Sequence, residues 1–314
     1  MASYILMRIL YTIPILIGVS LIAFGLIHLV PGNPLDLLLP PEAPKELVDQ
    51  LKAKYGFDQP LYIQYLNWLA RTVTGDLGNS VFSGAPVREE LIDALGNTLV
   101  LAIPAALLGF AMGTFLGALA GFNRDTWIDK LASALAITGV SMPHYWGAIC
   151  SVIVFSVLLN WLPATGMGPS GGVPESWEDL THMVLPVVTL SLIPMGVISR
   201  LVRATVLEIC GQEFTSALRG KGLRRARVVY HVMKNAAPPA MALMGLQFGY
   251  LLGGSILVET VYNWPGSGQL MNLAIFRRDI PVLQATVVVL ASFFVVINLT
   301  VDVLQAAIDP RMRR

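Results

Sequence analysis

Six stretches of this chain are long and apolar enough to cross a membrane as helices. They run over residues 9–30, 98–122, 131–160, 183–203, 239–262 and 282–307. A hydrocarbon core about 30 Å thick needs about 20 apolar residues at 1.5 Å per residue, and each stretch supplies them. The whole chain is 55% hydrophobic and only 13% charged, and its uncharged residues fall in these long runs. We therefore predict an all-α membrane protein with six transmembrane helices.

The distribution of basic residues predicts which side of the membrane each loop occupies. If the N-terminus is cytoplasmic, 14 of the 21 Lys and Arg residues fall on the inside, which is the bias that membrane proteins show. Both termini are therefore predicted to be cytoplasmic. The first span is not expected to be a removable signal peptide, because its apolar run is longer than the usual region of about 7–15 residues.

The segment 31–97 is too polar to span a membrane and is predicted to form a small helical insertion on the outer side. Three helical patterns lie in it, over residues 43–56, 58–75 and 86–96. Pro60 near the start and Gly75 at the end of the second pattern are typical helix boundaries. The Gly- and Pro-rich loop 161–182 is predicted to be extended.

These patterns divide the chain into three parts. Residues 1–30 hold the N-terminus and the first span, and residues 31–97 form the outer insertion. Residues 98–314 form a core of five helices, which includes a cytoplasmic loop at 204–237.

The stretch TSALRGKGLRRARVVYHVMKNAAPP, residues 215–239, carries six basic residues and no acidic residue. Gly220 and Gly222 predict a sharp turn between two helical pieces. After the turn, apolar residues recur at helical spacing beside a basic stripe, which predicts an amphipathic helix. The apolar stripe is Leu223, Ala226, Tyr230 and Met233, and the basic stripe is Arg224, Arg227, His231 and Lys234. Pro238 and Pro239 are expected to end this helix and start the next span.

Four functions are compatible with a basic amphipathic helix at this place. It could lie on anionic lipid, bind phosphate, bind nucleic acid, or dock to a cytoplasmic protein. RGKG lacks the GxxxxGK[ST] pattern of a nucleotide loop, and a basic helix in a membrane loop is weak evidence for nucleic acid. Composition alone does not separate lipid from a docked protein.

The residues of this loop resemble the "EAA" signature of the permease subunits of bacterial ATP-binding-cassette importers, specifically the dipeptide, oligopeptide and nickel permease family. EFTSALRGKGL and HVMKNAAPP carry the resemblance, and the signature glycine falls on Gly222. Ser216 stands where the signature has Glu. The resemblance extends over the whole chain through PGNPLD, FDQPLYIQY, GDLGNS, ITGVSMPHYW, RLVRATVLE, GLQFGYLLGGSILVETVYNWPGSGQL, RRDIPVLQATV and NLTVDVLQAAIDPRMRR.

The resemblance implies a type I importer permease fold in the bacterial inner membrane, working by alternating access. The implied partners are a second homologous permease in a heterodimer, two cytoplasmic ATPase subunits and a periplasmic or lipid-anchored binding protein. ATP and Mg would be bound by the ATPase subunits, and this chain is expected to hold no cofactor or metal and to be no enzyme itself. The residues expected to couple to the ATPase are Glu213, Phe214, Ala217, Arg219, Gly220, Lys221 and Gly222.

Polar residues inside the spans are the candidates for the translocation path, because ionisable and polar groups at membrane depth are costly and usually functional. Ser141, His144 and Asn298 are such candidates. The resemblance also implies that the fifth span lines the path, which adds Met244, Gln247 and Tyr250. Glu259 is expected either to pair with Arg277 or Arg278 or to line an outer gate.

Two other functional classes remain open from the residues themselves. A channel or secondary transporter that works without an ATPase would use intramembrane acids, for which Asp302 and Glu259 are the candidates. A membrane protease would use Ser170 in GPSGG as its nucleophile, but that chemistry requires a nearby base.

Overall fold

The computed structural model describes residues 2–29 and 58–308, together with residue 44. The described residues are almost entirely helical. The α-helices are α1 (Ala2–Leu29), α2 (Leu61–Thr74), α3 (Val87–Phe122), α4 (Trp127–Ser141), α5 (His144–Ser151), α6 (Trp177–Cys210), α7 (Glu213–Gly220), α8 (Arg225–Val261), α9 (Ser267–Arg277) and α10 (Ile280–Ile308). A π-helical segment, Val152–Leu158, follows α5 directly.

Four helices in the described part of the chain are long and apolar enough to cross a membrane, namely α3, α6, α8 and Ile280–Val301 of α10. The pair α4 and α5, with the π-helical segment, makes a fifth if the two are counted as one span. The apolar part of α1, Leu10–Gly25, is shorter than these spans. The structure thus shows a helical membrane protein with four or five apolar spans, and the count of six stays a prediction.

The core of the structure is the contact between α3 and α6, which is built on a row of glycines in α3. Gly109, Gly113, Gly117 and Gly121 follow one another at every fourth position and are all buried. A Cβ added at Gly117 would stand 2.5 Å from the backbone oxygen of Ser199. The other three glycines are just as close to α6. Small residues at this spacing let two helix backbones approach closely, which is how helices associate in lipid.

Other contacts between the core helices are also made at glycines. Gly196 of α6 lies against the backbone oxygen of Ala136 in α4. A Cβ at Gly249 of α8 would stand 2.4 Å from the ring of Phe294 in α10. Glycines therefore let α4 approach the backbone of α6 closely and let α8 take up the ring of Phe294 from α10.

The helix that starts the core is longer than predicted. Residues 86–96 do not form a separate helix, because α3 runs without a break from Val87 to Phe122. Its first turns bury Val87, Leu91, Ala94 and Thr98, a helical stripe that leads directly into the span. Gly96 does not interrupt the helix, since one glycine in a long helix costs only about 1 kcal/mol.

The predicted span 131–160 is not straight. Helices α4 and α5 meet at an angle of 103°. Met142 and Pro143 between them are extended, with ψ of 116° and 138°. Proline has no N–H to bond the preceding turn, and it disfavours helical conformation in the residue before it.

Unlike Pro143, Pro238 and Pro239 do not break their helix, because α8 continues through both of them. The carbonyls that lose their helical donors belong to Lys234 and Asn235, four residues earlier. Both residues are exposed, which leaves room for polar groups outside the helix to satisfy the freed carbonyls. The prediction that these prolines end a helix is therefore wrong.

The second helix of the predicted insertion is present as α2. It ends where predicted, with Gly75 in the left-handed conformation at φ 84°. It lies against α1 through a hydrogen bond of 2.8 Å between the hydroxyls of Ser20 and Tyr65 and through the rings of Phe24 and Trp68, 5.8 Å apart. The helix predicted over 43–56 lies outside the described residues.

The loop 161–182 is not extended as predicted, because residues 161–176 form a series of bends and turns and α6 begins at Trp177. Asp179 caps this helix start. It accepts hydrogen bonds from the backbone N–H of Ser176 at 2.8 Å and from the hydroxyl of Ser170 at 2.7 Å. The side chain of Ser176 in turn caps the N–H of Asp179, which completes a capping box.

The glycine row predicts opposite effects for two alanine substitutions in α3. Gly117→Ala places a methyl group against the backbone of α6 and should lower the free energy of unfolding by about 1–3 kcal/mol. Gly96→Ala, where a Cβ would meet nothing within 4 Å, should leave stability unchanged or raise it by up to about 1 kcal/mol. Thermal unfolding of the two purified variants in detergent measures the difference. Equal midpoints would contradict the packing account.

Candidate functional site

The candidate coupling site is the short helix α7 together with the turn that follows it. Gln212 before the helix is extended, with ψ of 150°, so the chain leaves the line of α6 at this point. The helix ends at Gly220, and Arg225 begins α8 after four more residues. Helix α7 is thus a separate element between two long helices that pack against each other.

Two residues fix α7 to the helices beside it. Thr215 is fully buried and donates its hydroxyl to the backbone oxygen of Ile209 at 2.7 Å. Leu218 packs against a cluster of buried residues from α6 and α8. Because Thr215 satisfies a carbonyl near the end of α6, it also stabilises the end of that helix. The position of α7 therefore follows the ends of α6 and α8.

The remaining face of α7 is open. All seven residues predicted to couple to a partner are exposed, namely Glu213, Phe214, Ala217, Arg219, Gly220, Lys221 and Gly222. Phe214 leaves 36% of its surface exposed, as an aromatic ring beside charged neighbours. An aromatic residue with an arginine nearby is the composition that protein interfaces favour. The geometry is that of a rigid helix presenting one face to another molecule.

The turn after α7 depends on one glycine rather than two. Gly222 has φ +72°, in the left-handed region that side chains disfavour. Gly220 is the last residue of the helix and does not have a positive φ. A Cβ at either position would meet nothing within 4 Å, so the requirement at Gly222 is conformational and not steric crowding.

The first part of α8 is amphipathic, but its buried face differs from the predicted one. Val228, Val232 and Ala236 are buried, while Tyr230 leaves 63% of its surface exposed. Of the predicted apolar stripe, Leu223 and Met233 are half-buried and pack against the buried cluster of α6 and α8, whereas Ala226 and Tyr230 are exposed. Exposed basic side chains cover the outer side, namely Arg224, Arg225, Arg227 and Lys234.

A half-buried ion pair lies between α4 and α6, and the sequence did not identify it. Arg203 of α6 donates to both carboxylate oxygens of Asp129 in α4, at 2.7 and 2.8 Å. Asp129 also accepts from the N–H of Asp125 and the hydroxyl of Ser133, at 3.1 and 3.2 Å. This two-pronged contact, with its remaining lone pairs bonded, is the geometry in which a buried pair is stable. It joins the start of α4 to α6.

The predicted pathway residues do not form one cluster. The ring nitrogen Nδ1 of His144 lies 3.4 Å from the backbone oxygen of Gly254 in α8. Its other nitrogen, Nε2, is buried and has no partner in the described residues. His144 therefore joins the start of α5, directly after the break at Pro143, to the middle of α8.

The other pathway candidates point in different directions. Ser141 is exposed, Met244 is half-buried, and Gln247 is buried at 8% exposure. Tyr250 leaves 60% of its surface exposed. Asn298 donates to the oxygen of Phe294 in its own helix at 3.0 Å. Within this single chain, only Ser141 and Tyr250 present their side chains to the surroundings.

Glu259 does not pair with Arg277 or Arg278. It is fully buried and accepts from the hydroxyl of Thr98 at 2.8 Å and from the N–H groups of Gly268 and Gln269 at 2.7 and 3.1 Å. These bonds join α3, α8 and the start of α9. A carboxylate held by three donors at a helix N-terminus is a structural anchor.

The two arginines lie elsewhere at the end of α9. The guanidinium of Arg277 stacks 4.0 Å from the ring centre of Phe82. Arg278 ends the helix in the left-handed conformation, with φ 54°. Both side chains are exposed. The ion pair is thus replaced by a cation–aromatic contact between α9 and the turn before α3.

Ser170 is not arranged as a nucleophile. Its hydroxyl donates to Asp179, which itself caps the start of α6. The nearby His182 places its Nδ1 3.0 Å from the backbone oxygen of Thr165 instead. A serine nucleophile requires a base that accepts its proton, usually through an oriented imidazole. Ser170 therefore helps to hold Asp179 in place at the start of α6.

Comparison with known proteins agrees with this arrangement of helices. The structure is similar to that of the MetNI methionine ABC transporter in inward-facing conformations, with a TM-score of 0.59 and 19% sequence identity over 71% of this chain and 98% of that one. The likeness at this identity concerns the fold. It places the described helices among those of ABC transporter membrane subunits.

Curated relatives match the chain from end to end. The dipeptide transport system permease protein DppB of Alkalihalophilus pseudofirmus is 36% identical over 100% of both chains. The glutathione transport system permease protein GsiC of Escherichia coli K12 is 38% identical over 100% of this chain and 99% of that protein.

Two family models cover most of the sequence. Residues 113–314 match the binding-protein-dependent transport system inner membrane component. Residues 1–102 match the N-terminal part of the same kind of membrane component. This chain therefore belongs to the family of binding-protein-dependent transport system inner membrane components.

Proposed function

We propose that this chain is one transmembrane half of an ATP-driven importer and that α7 is the element through which cytoplasmic ATPase subunits move it. The observation that carries this proposal is the contrast between the two faces of α7. One face is fixed by Thr215 and Leu218 to the ends of α6 and α8. The other presents five of the exposed coupling residues, including Phe214, to a partner, and Lys221 and Gly222 follow in the turn.

A displacement of α7 would act on several helices together. Thr215 transmits it to the end of α6, and the shared apolar cluster transmits it to α8. The ion pair between Arg203 and Asp129 carries the movement of α6 to α4. Packed helices move as bodies between discrete arrangements, which is the motion that alternating access requires. ATP and Mg belong, in this proposal, to the ATPase partners.

The proposed arrangement has six spans, with α1 as the first and the broken pair α4 and α5 as the third. Residues 31–97 then form an insertion on the periplasmic side, and both termini lie in the cytoplasm. The exposed basic residues of the α7 and α8 region support this orientation, since Lys and Arg favour the cytoplasmic side. The family consists of inner membrane components, which supports a multi-pass protein in that membrane.

Short peptides and related small solutes are the proposed cargo. The relatives at 36% and 38% identity are named for a dipeptide and for glutathione, which is itself a short peptide. A binding protein would deliver the cargo, and a second homologous permease would complete the path as a heterodimer. The exposed Tyr250 and Ser141 would face that path, with His144 at the hinge of the third span.

An importer that works without ATPase partners is the alternative, and the position of Glu259 argues against it. A proton- or ion-coupled carrier needs a carboxylate that gains and loses its partner during transport. Glu259 is instead bonded to three donors from two other elements. The side chain of Asp302 lies outside the described residues.

The turn after α7 gives a test of coupling. Gly222→Ala forces a side chain into the left-handed region at a cost of about 1–2 kcal/mol, which should tilt α7 and lower dipeptide uptake per ATP hydrolysed several-fold. Gly220→Ala, at a helical position two residues earlier, should leave that ratio near the wild-type value. Proteoliposomes with the assembled complex and a labelled dipeptide measure both rates. An unchanged ratio for Gly222→Ala would refute the role of the turn.

The exposed aromatic ring of α7 gives a test of docking. Phe214→Ala should weaken the association of the ATPase subunits at least tenfold, because buried aromatic residues dominate interface energies. Tyr230→Ala removes an aromatic ring that is more exposed but lies outside α7, so it should leave association unchanged. Co-purification of the ATPase in detergent at graded salt measures this. Equal losses in both variants would contradict docking through α7.

A further inference from the structure

A cavity of about 510 Å³ lies between α1, α2, α3 and α10. Its size falls within the range of about 300–1,000 Å³ that is usual for small-ligand sites. The walls are mainly aliphatic, with Ile17, Leu69, Ile92 and Val288 as representative side chains. Ile17 and Ile92 are exposed at its surface, so the cavity opens to the surroundings of the helices and not to the protein core.

The hydroxyl groups in the wall already donate hydrogen bonds to backbone oxygens of their own helices. Ser20 donates to the oxygen of Ile17 at 2.8 Å, and Ser292 donates to the oxygen of Val288 at 2.7 Å. Thr72 donates to the oxygen of Trp68 at 2.9 Å. Since each hydroxyl is already bonded, an occupant of the interior gains nothing from hydrogen-bonding groups. The interior therefore selects for hydrocarbon.

One end of the cavity carries a positive charge. Arg88 is the one charged residue among the described residues that line it. It lies in the first turn of α3, is exposed, and makes no ion pair with another described residue. Glu89 and Glu90 lie in the same turn but do not line the cavity, and Glu90 accepts from the hydroxyl of Ser83 at 2.6 Å. A cation at the mouth of an apolar slot complements an anionic amphiphile.

The direction of the cavity agrees with the orientation of a lipid tail. Arg88 and Leu95 both line it and are seven residues apart, which is about 10 Å along α3 at 1.5 Å per residue. Ile13 and Ser20 bound a stretch of the same length on α1. The slot thus runs alongside α1 and α3, with Arg88 at the end where α3 begins.

We propose that this cavity binds one acyl chain of an anionic membrane phospholipid, whose phosphate contacts Arg88. The lipid would fill the space between α1 and α3 and support the packing of α1 on the core. A phosphate and a guanidinium form charge-assisted hydrogen bonds, and the tail gains from leaving no void beside the aliphatic wall. This proposal does not rest on the transport function.

Lipid titration of the purified full-length chain, followed by native mass spectrometry, tests the proposal with phosphatidylglycerol as the probe. The wild type should retain one tightly bound molecule. Arg88→Gln should weaken that binding about fivefold, and Ile92→Trp should abolish it by filling the slot. Two matched variants outside the cavity, Arg278→Gln and Ile103→Trp on the exposed side of α3, should bind as the wild type does.

Several results would overturn the proposal. Equal binding by all four variants would place the lipid elsewhere. Phosphatidylethanolamine bound as tightly as phosphatidylglycerol would exclude the role of Arg88. Occupancy by residues 30–57 or by a second copy of the chain would appear as altered protease protection or dimerisation in Ile92→Trp, with lipid binding unchanged.

Discussion

The approach of the α3 backbone to the α6 backbone is the contact on which the rest of the structure depends. Lipid gives two apolar helices no hydrophobic reason to associate, so their stability comes from close packing and hydrogen bonds. The four glycines of α3 permit that packing over about three turns. Helix α6 is thereby held along much of its length, and every functional element described above is attached to α3, α6 or α8.

Polar anchors close this core at both ends. At one end, Glu259 joins α3, α8 and α9 through three donors. At the other, the bidentate pair of Arg203 and Asp129 joins α4 to α6. Between them the helices share few polar contacts and many small residues. In the proposed mechanism, such a body would move as a unit when α7, fixed to its end by Thr215, is displaced.

The sequence predicted features that depend on neighbouring residues and missed those that depend on distant ones. Gly75 and Gly222 were recognised because a helix end and a turn are local events. Pro143 breaks its span while Pro104 lies inside a straight run of helix, and no local rule separates the two. The contact of His144 with Gly254, 110 residues away, belongs to the broken segment.

The candidate site shows the same limit. The exposure of α7 followed from its resemblance to a known signature, but the pairing of Arg203 with Asp129 spans 74 residues and that of Glu259 with Thr98 spans 161. Charge alone suggested a different partner for Glu259. An alternation of apolar and basic residues fixed the spacing in α8 but not its buried face, because the face is chosen by α6.

Cysteine cross-linking between α7 and the ATPase tests the central claim most directly. In the full chain with Cys150 and Cys210 replaced by Ser, Ala217→Cys would be co-expressed with an ATPase subunit that carries single cysteines along its membrane-facing groove. The account predicts a cross-link from position 217 whose yield changes between the ATP-bound and ATP-free complex, and none from Ser83→Cys in the loop before α3. Cross-linking from position 83, or an assembled complex with no cross-link from position 217, would contradict it.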